Sequence, residues 1–527
     1  MRILNSLVRP NNMKSRILLA LLSVLLHFLS MPGSPFPLLV WVALVPVGLA
    51  ISNVSPRYSA ILLYLTMSAF WLVGIWWLIP AIVKFTQVSY VFAIPILIAL
   101  CFFIALPYVL IGWLIANKQW LYKPFGIIFI SASYAVMTLV FPNPIPGNIA
   151  HSLYQYPIFL QLLDVGGVAM VLFLVVFVNW QIVKAIHSFQ HNRQQAEFAL
   201  LRGVLVLAIV CVYGALKIGL YEGGNDKTIE LKIGMVQPKL LREDNIERLY
   251  SLSERLVAQN PDIDLLVWPE FPTAFSYVGN SWDKQKVDYL IAKLNKPVVI
   301  VSGYIYEEGA DPNDSASRYY NTAHLIDENR VLKSSYQKQE LVPFFEYLPR
   351  EQQWPFLREL FPEALRYIPG NEANVFHLDS NTRIIPLICY ETIFPQLTRE
   401  FIQKDGNIII NLVNDIWLGD QWASSYHFAV GLFRSIEHRV PWVRVSNSGI
   451  SGMVSASGVI DSATLTAQQV IASRVFDVEI PSERSFYSRY GDIFLFGLLV
   501  VILIGTFNDK MRKVLKVHRR GSSESGI

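Results

Sequence analysis

The chain has 527 residues, 53% of them hydrophobic and only 16% charged, which is too apolar for one soluble globule of this size and places much of it in a membrane. The net charge is +4, and Lys and Arg gather in short flanks rather than in a patch, which excludes a nucleic-acid face. The cysteines are Cys101 and Cys211 in apolar runs and Cys389 in the polar half, a set that excludes a disulfide framework and CxxC metal spacing.

In chain order, a basic start (Arg2, Arg9, Lys14, Arg16) precedes long apolar runs near 17–30, 36–52, 58–80, 89–116, 124–141, 158–185 and 199–220, with a last one after 490. Each approaches the ~20 residues that a spanning helix needs, so about eight transmembrane helices are expected. No small-residue cleavage site follows the first run, which reads as a retained anchor rather than a signal peptide. Arg57, Lys118, Lys123, Lys184, Arg193 and Arg202 fall in or beside alternate loops, and the tail after the last run is rich in Lys and Arg. By the positive-inside rule both termini are cytoplasmic, and the polar segment lies on the far side, the periplasm of a Gram-negative cell. The expected domains are a seven-span bundle over 1–221, a periplasmic domain over 222–488, a final helix over 489–508 and a basic cytoplasmic tail over 509–527. Gln161 and Asp164 fall within or beside the sixth run, where a carboxylate must be packed inside the bundle or reach the interface.

From 228 the composition turns to that of a soluble α/β domain. TIELKIGMVQP, DIDLLVWPE, PVVIVSGYIYE, YYNTAHLID, VLKSSYQK, RIIPLI, NIIINLV, VPWVRVS and IASRVFDVEI read as strands, and NIERLYSLSERLVAQN and VDYLIAKLNK as helices. Alternating elements with doubly apolar strands predict a sheet covered by helices with a second sheet behind it.

Within RIIPLICYETIF the apolar strand breaks at Cys389, and a helical run PQLTREFI follows. A thiol on such a strand-to-helix turn would feel the positive end of the helix, which favours thiolate; the plain alternative is a buried small hydrophobe. Glu270 closes the strand LLVWPE, where partial desolvation would raise its pKa and suit it to take the thiol proton. Lys338 stands where YQKQELVPFFEYLP leaves a strand, and its ammonium suits an oxyanion. Asn414, Asp415 and Trp417 follow a buried strand and border the same region, although Asp415 could equally cap its own turn. Arg434, Glu437, Arg439 and Arg444 suit a structural ion-pair network, with Arg439 able to meet a phosphate.

These motifs (LLVWPE, YQKQELVPFFEYLP and PLICYETIF), together with NLVNDIWLGD, HFAVGLFRSIEHRVPWVRVSNSGISG and Tyr320-Asn321, resemble the nitrilase or carbon–nitrogen hydrolase superfamily. Framed by membrane runs, the whole chain resembles the apolipoprotein N-acyltransferase family. The resemblance implies an α-helical membrane bundle carrying a periplasmic αββα sandwich in a bacterial inner membrane, and a two-step transfer without metal or other cofactor. Cys389 would be the nucleophile, Glu270 the general base and Lys338 the oxyanion stabiliser. Glu346, Tyr390, Glu391, Asn321 and Asn414 would support them. The donor would be the sn-1 ester of a phospholipid, typically phosphatidylethanolamine. The acceptor would be the α-amino group of a diacylglyceryl-cysteine at a lipoprotein N-terminus. The segment EYLPREQQWPFLRELFPEALRY offers Trp354, Phe356 and Phe361 as an acyl-chain lid, or else as an ordinary amphipathic helix packed on the domain. Phe345 departs from the family, standing where it usually has Gly. A membrane-tethered amidase using the same three residues, and a non-catalytic transporter or scaffold, are the rival readings.

Overall fold

The computed structural model describes residues 12–506 apart from 124, 146, 190, 224–228, 241–246, 271–276, 278–281, 308–316 and 418–420. The basic start before residue 12 and the tail after 506 lie outside the described residues.

Among the described residues up to 222, the regular elements are all helices. Among the described residues, Met13–Ser30, Leu163–Ser188 and Arg193–Glu222 are long and apolar enough to cross a membrane, and Tyr90–Ile104 with Pro107–Ala116 makes a pair bent by 42°. Shorter apolar helices occupy Pro37–Ile51, Gly126–Val140 and Ile493–Thr506. The run expected as one span at 36–52 is a 3₁₀ turn, Pro37–Trp41, followed by the helix Val45–Ile51. The run at 58–80 is divided between Pro56–Gly74 and Leu78–Thr86. Helices 56–74 and 107–118 touch backbone to backbone at Gly112, where an added Cβ would lie 2.8 Å from the Ser59 carbonyl oxygen. The Ser59 hydroxyl donates to the Gly112 carbonyl there, at 2.9 Å, the small-residue contact expected of helices in lipid.

The polar segment folds into two sheets. The first runs β11-β1-β2-β3-β4-β5, with β1 at Ile229–Gln237, β2 at Leu265–Val267, β3 at Val298–Tyr306, β4 at Tyr319–Ile326, β5 at Leu332–Gln337 and β11 at Ala472–Ile480. The second runs β10-β9-β8-β7-β6, with β6 at Phe376–His377, β7 at Arg383–Ile388, β8 at Ile408–Val413, β9 at Trp442–Ser446 and β10 at Gly452–Val454. β1, β2 and β3 are parallel, as are β7, β8 and β9, and the other pairings are antiparallel.

Period-two alternation sets the layers. Leu265 and Val267 face a core shared with Ile384, Leu387 and Ile409 of the second sheet. Leu266 and Trp268 face the helices Glu247–Gln259 and Trp282–Leu294 through Leu249, Leu256, Val287 and Ile291. Burial of such side chains is worth about 1.5–3 kcal/mol each. On the far side, helices Pro395–Gln403 and Gln421–His438 cover the second sheet, the latter buried along most of its length. This is the expected helix–sheet–sheet–helix order.

The two halves meet at named contacts. The Tyr390 hydroxyl donates to the Pro144 carbonyl at 2.9 Å, and Phe28 stacks on Trp422 at 5.4 Å. Arg439 Nη2 binds Asp164 Oδ2 at 2.7 Å. Beside this pair the helix 163–188 breaks at Gly167 (φ 59°), where a Cβ would lie 2.5 Å from the Tyr487 ring. A glycine is therefore required by both conformation and space.

Candidate active site

Glu270, Lys338 and Cys389 each leave the carboxyl end of a strand. β2 and β5 run in the same direction, since β4 between β3 and β5 is antiparallel to both, so Glu270 and Lys338 emerge on one edge of the first sheet. Cys389 follows the last residue of β7, in the second. Sites commonly form outside the carboxyl ends of such strands.

Lys338 is buried, and its Nζ lies 2.7 Å from Glu346 Oε1 and 4.0 Å from Glu270 Oε1. Burial opposes its charge, but Glu346, Glu270 and Cys389 outweigh burial and raise its pKa, so it stays an ammonium. The other oxygen of Glu346 accepts from the Val342 N–H at 2.8 Å, which fixes the carboxylate that holds the lysine. Asn321, at the same edge on β4, donates its amide to Glu270 Oε1 at 2.9 Å. Burial pushes Glu270 up, Lys338 pulls it down, and Glu346 pushes it up again; the balance is a raised pKa. The Cys389 thiol and Glu270 lie close enough to shift each other's titration. A base above the usual carboxylate range, beside the thiol it would deprotonate, suits general base chemistry.

The expected helix N-terminus is not where the thiol sits. Cys389 begins a 3₁₀ turn, Cys389–Ile393, and the α-helix starts only at Pro395. With the helix end a full turn away, its field does not decide the thiol's state. Burial, then the negative charge of Glu270, pushes the thiol up, against Lys338. The resting group is therefore a thiol that needs its base. This corrects the expectation of a dipole-favoured thiolate.

Cys389 has φ 51°, a left-handed conformation that costs a non-glycine residue roughly 1–3 kcal/mol and persists only where its surroundings enforce it. Glu391 is one such enforcer. It is fully buried; one oxygen accepts from the Tyr336 hydroxyl at 2.6 Å and the Gln339 N–H at 2.7 Å, the other from the Ile388 N–H at 2.8 Å. Burial pushes its pKa up to about 7, opposed by Lys338 and these donors. One carboxylate thus ties the turn carrying Cys389 to the turn carrying Lys338, across the two sheets.

Behind Cys389 lies a polar cluster that sequence reasoning only bordered. The Cys389 carbonyl faces Asn411 Nδ2 at 3.3 Å and His427 Nε2 at 3.2 Å. His427 Nδ1 lies 3.1 Å from Asp415 Oδ1, and Asp415 Oδ2 accepts from Arg444 Nη2 and Ser424 Oγ, both at 2.6 Å. Burial alone would raise Asp415, but Arg444 and His427 hold it well below the ordinary range. Asp415 therefore serves this cluster. Asn414 is buried beside it, accepting from Asn447 at 3.3 Å. Asn411 and His427 were not anticipated. The available signals were one amide inside the apolar strand IIINLV and one imidazole in a buried helix, both of which read as core. The side chain of Trp417 lies outside the described residues.

The departure at Phe345 is mild in backbone terms. The left-handed residue of that turn is Phe344 (φ 63°), not Phe345. Of the lid candidates, Trp354 and Phe356 are 47% and 53% exposed. Phe361 packs against Phe344 with ring centres 5.0 Å apart. The segment is tied down by Glu351, which accepts from Arg358 at 2.8 and 3.0 Å and from Arg366 at 3.3 Å. Its short helix, Phe356–Leu360, leaves Phe356 and Leu360 exposed.

Two facing sheets with Glu, Lys and Cys at their strand ends define a carbon–nitrogen hydrolase domain, and the family model described as Carbon-nitrogen hydrolase matches residues 232–477. Among solved structures the chain is similar to Nit3 of Saccharomyces cerevisiae, a nitrilase superfamily member, at 20% identity over 47% of this chain and 90% of that one, with a TM-score of 0.35. The helical half carries the second match: the Apolipoprotein N-acyltransferase N-terminal domain covers residues 23–181. With both in order on one chain, this protein belongs to the apolipoprotein N-acyltransferase family. A relative from Geobacter metallireducens named Apolipoprotein N-acyltransferase is 27% identical over 90% of this chain and 92% of its own. One of the same name from Brucella suis biovar 1 is 33% identical over half of each chain.

Proposed function

We propose that this protein is a membrane-bound apolipoprotein N-acyltransferase in which Cys389 carries the acyl group as a thioester. In the first half-reaction Glu270 takes the thiol proton and the sulfur attacks the sn-1 ester carbonyl of a phospholipid such as phosphatidylethanolamine. The Lys338 ammonium, held charged by Glu346, stabilises the oxyanion, an effect worth about 3–4 kcal/mol for one well-placed donor. The C–O bond breaks, the proton on Glu270 passes to the departing lysophospholipid oxygen, and the acyl group remains on sulfur. In the second half-reaction the α-amine of a diacylglyceryl-cysteine attacks the thioester, Glu270 takes its proton, and collapse releases the amide and returns that proton to sulfur.

The observation that carries this reading over a tethered amidase is the packing of the nucleophile turn against the helical half. Tyr390, next to Cys389, hydrogen-bonds to Pro144. Ile393 and Phe394 share an apolar cluster with Phe70, Trp71, Trp77 and Leu97. A thioester formed against such a wall is shielded from water, which favours a lipid-borne amine as acceptor. The rest of the topology belongs to the same proposal: about eight spans, the shorter apolar helices completing the bundle over 1–221 and 489–508; a periplasmic domain over 222–488; and both termini on the cytoplasmic side of an inner membrane. Trp354, Phe356 and Phe361 cover the acyl chain.

The test is to supply purified protein with phosphatidylethanolamine and a synthetic diacylglyceryl-cysteine peptide, then separate amide product from free fatty acid. N-acylated peptide formed in proportion to lysophospholipid supports the transferase. Lysophospholipid formed with free fatty acid alone supports the hydrolase instead.

A further inference from the structure

The nucleophile's conformation has a second support besides Glu391, and it comes from a helix. Helix Gln421–His438 passes beneath the strand-to-turn junction after β7 and presents His427 to the Cys389 carbonyl oxygen at 3.2 Å. A carbonyl oxygen offers no hydrogen, so the bond requires that Nε2 carry one. That choice leaves Nδ1 to its own partners, Asp415 Oδ1 at 3.1 Å and Arg444 Nη2 at 3.3 Å. A neutral ring accepts from Arg444 there, and a protonated ring donates to Asp415. In both states Nε2–H points at Cys389. Arg444 and Ser424 fix Asp415 in turn, and the Arg444 Nε donates to the Ile450 carbonyl at 3.0 Å. The imidazole is therefore held in one orientation from behind. The same carbonyl receives Asn411 Nδ2 at 3.3 Å.

We propose that His427 is a positioning residue for the nucleophile: with Asn411 it clamps the Cys389 carbonyl, which keeps Cys389 in its left-handed conformation and the thiol aimed at Glu270. Rotation of the peptide after Cys389 would carry this oxygen away from both donors. Two donors on one carbonyl, at a residue with φ 51°, are what such a constraint needs. The Asp415–His427 pair resembles the lower half of a nucleophile–His–Asp relay, but its imidazole meets the nucleophile's backbone and not its sulfur. It therefore sets geometry and moves no proton. The role rests on the reading of Cys389 as the nucleophile.

The variants His427→Gln, His427→Asn and His427→Leu separate this role from simple core packing. A glutamine amide nitrogen reaches the position of Nε2, whereas an asparagine amide reaches only that of Nδ1. Two rates are measured on the full-length protein in detergent: iodoacetamide alkylation, read on the Cys389 peptide, and acyl-adduct formation from phosphatidylethanolamine, with thermal unfolding as control. Asparagine and leucine are expected to slow both rates on the order of 10- to 100-fold at unchanged half-saturating phospholipid, with glutamine nearest to wild type. Wild-type rates in all three variants, or glutamine as slow as leucine, would overturn the proposal. Where the leucine variant does not fold, Asn411→Ser removes the other donor and is expected to slow both rates; wild-type rates there would also count against the clamp. If the wild type forms no acyl adduct while alkylation still separates asparagine from glutamine, the transferase reading fails and the positioning role stands.

Discussion

Arg439 and Asp164 meet at 2.7 Å although 275 residues separate them in the chain, and their contact joins the helix 163–188 to the end of the helix that underlies the nucleophile. Arg439 is fully buried. It also donates to Gln161 Oε1 at 2.7 Å, while Asp164 accepts from Tyr213 at 2.8 Å and lies 3.4 Å from Lys217. Nη1 and Nη2 are taken up by these partners and the side chain is buried, so the pair is a structural junction between the halves.

Removing one partner leaves a buried charge uncompensated, at a cost of about 3–5 kcal/mol, whereas replacing both by apolar residues is close to neutral. Asp164→Ala is expected to lower the thermal unfolding midpoint in detergent by roughly 3–5 °C, and Asp164→Leu with Arg439→Met to restore most of it. A double variant as unstable as the single one would show that the charges are needed for more than mutual neutralisation.

The signs of the forces on the thiol make a pair of opposite predictions. Glu270 pushes the Cys389 pKa up and Lys338 pulls it down. Glu270→Gln should therefore shift the pH profile of alkylation to lower pH, and Lys338→Met should shift it to higher pH. Both variants lose acyl transfer, one for want of a base and the other for want of an oxyanion partner. Alkylation against pH by peptide mass spectrometry reads the two shifts, and shifts of the same sign would contradict the assignment.

How much of this was legible in the sequence depends on the range of the interaction. Glu270 and Cys389 could be read because each follows an apolar strand, and Lys338 because it stands where the chain leaves a strand. The unbroken apolar run Leu265, Leu266, Val267 and Trp268 likewise foretold a strand buried on both faces. The thiol's electrostatics could not be read that way. A 3₁₀ turn and an α-helical start look alike over five residues, and burial by a distant helix leaves no local mark. The partners of Asp164, His427 and Asp415 lie far off in the chain or in the other sheet, so their pairing is a property of the assembled fold. The apolar runs at 36–52 and 58–80 counted as spans by composition, but their breaks are visible only in the backbone.

Glu391 gives a prediction about coupling. Glu391→Gln keeps the volume but places an amide –NH2 among hydrogen-bond donors, Tyr336, Gln339 and Ile388. Hydrogen bonds to a charged group are worth about 1.5–3 kcal/mol each, so the turns bearing Cys389 and Lys338 should loosen together. A fall in kcat on the order of 10- to 100-fold, with little change in KM for phospholipid, is expected in steady-state lysophospholipid release. A rise in KM at constant kcat would place Glu391 in lipid binding instead.

The aromatic lid candidates predict a different kinetic pattern. Trp354→Ser with Phe361→Ser removes apolar surface from a segment that Glu351 holds in place. The expected outcome is a higher KM for phospholipid and a larger fraction of thioester lost as free fatty acid, both measurable by thin-layer chromatography of labelled lipid. Unchanged lipid turnover and an unchanged product ratio would remove the lid role.

The central claim is that Cys389 carries the acyl chain. Intact-mass analysis of the purified protein after incubation with phosphatidylethanolamine, with and without hydroxylamine and beside Cys389→Ala, tests it most directly. The account predicts a fatty-acyl mass increment that hydroxylamine removes and that the alanine variant never gains. An active preparation that releases lysophospholipid without any such adduct, or an adduct that persists in Cys389→Ala, would contradict it.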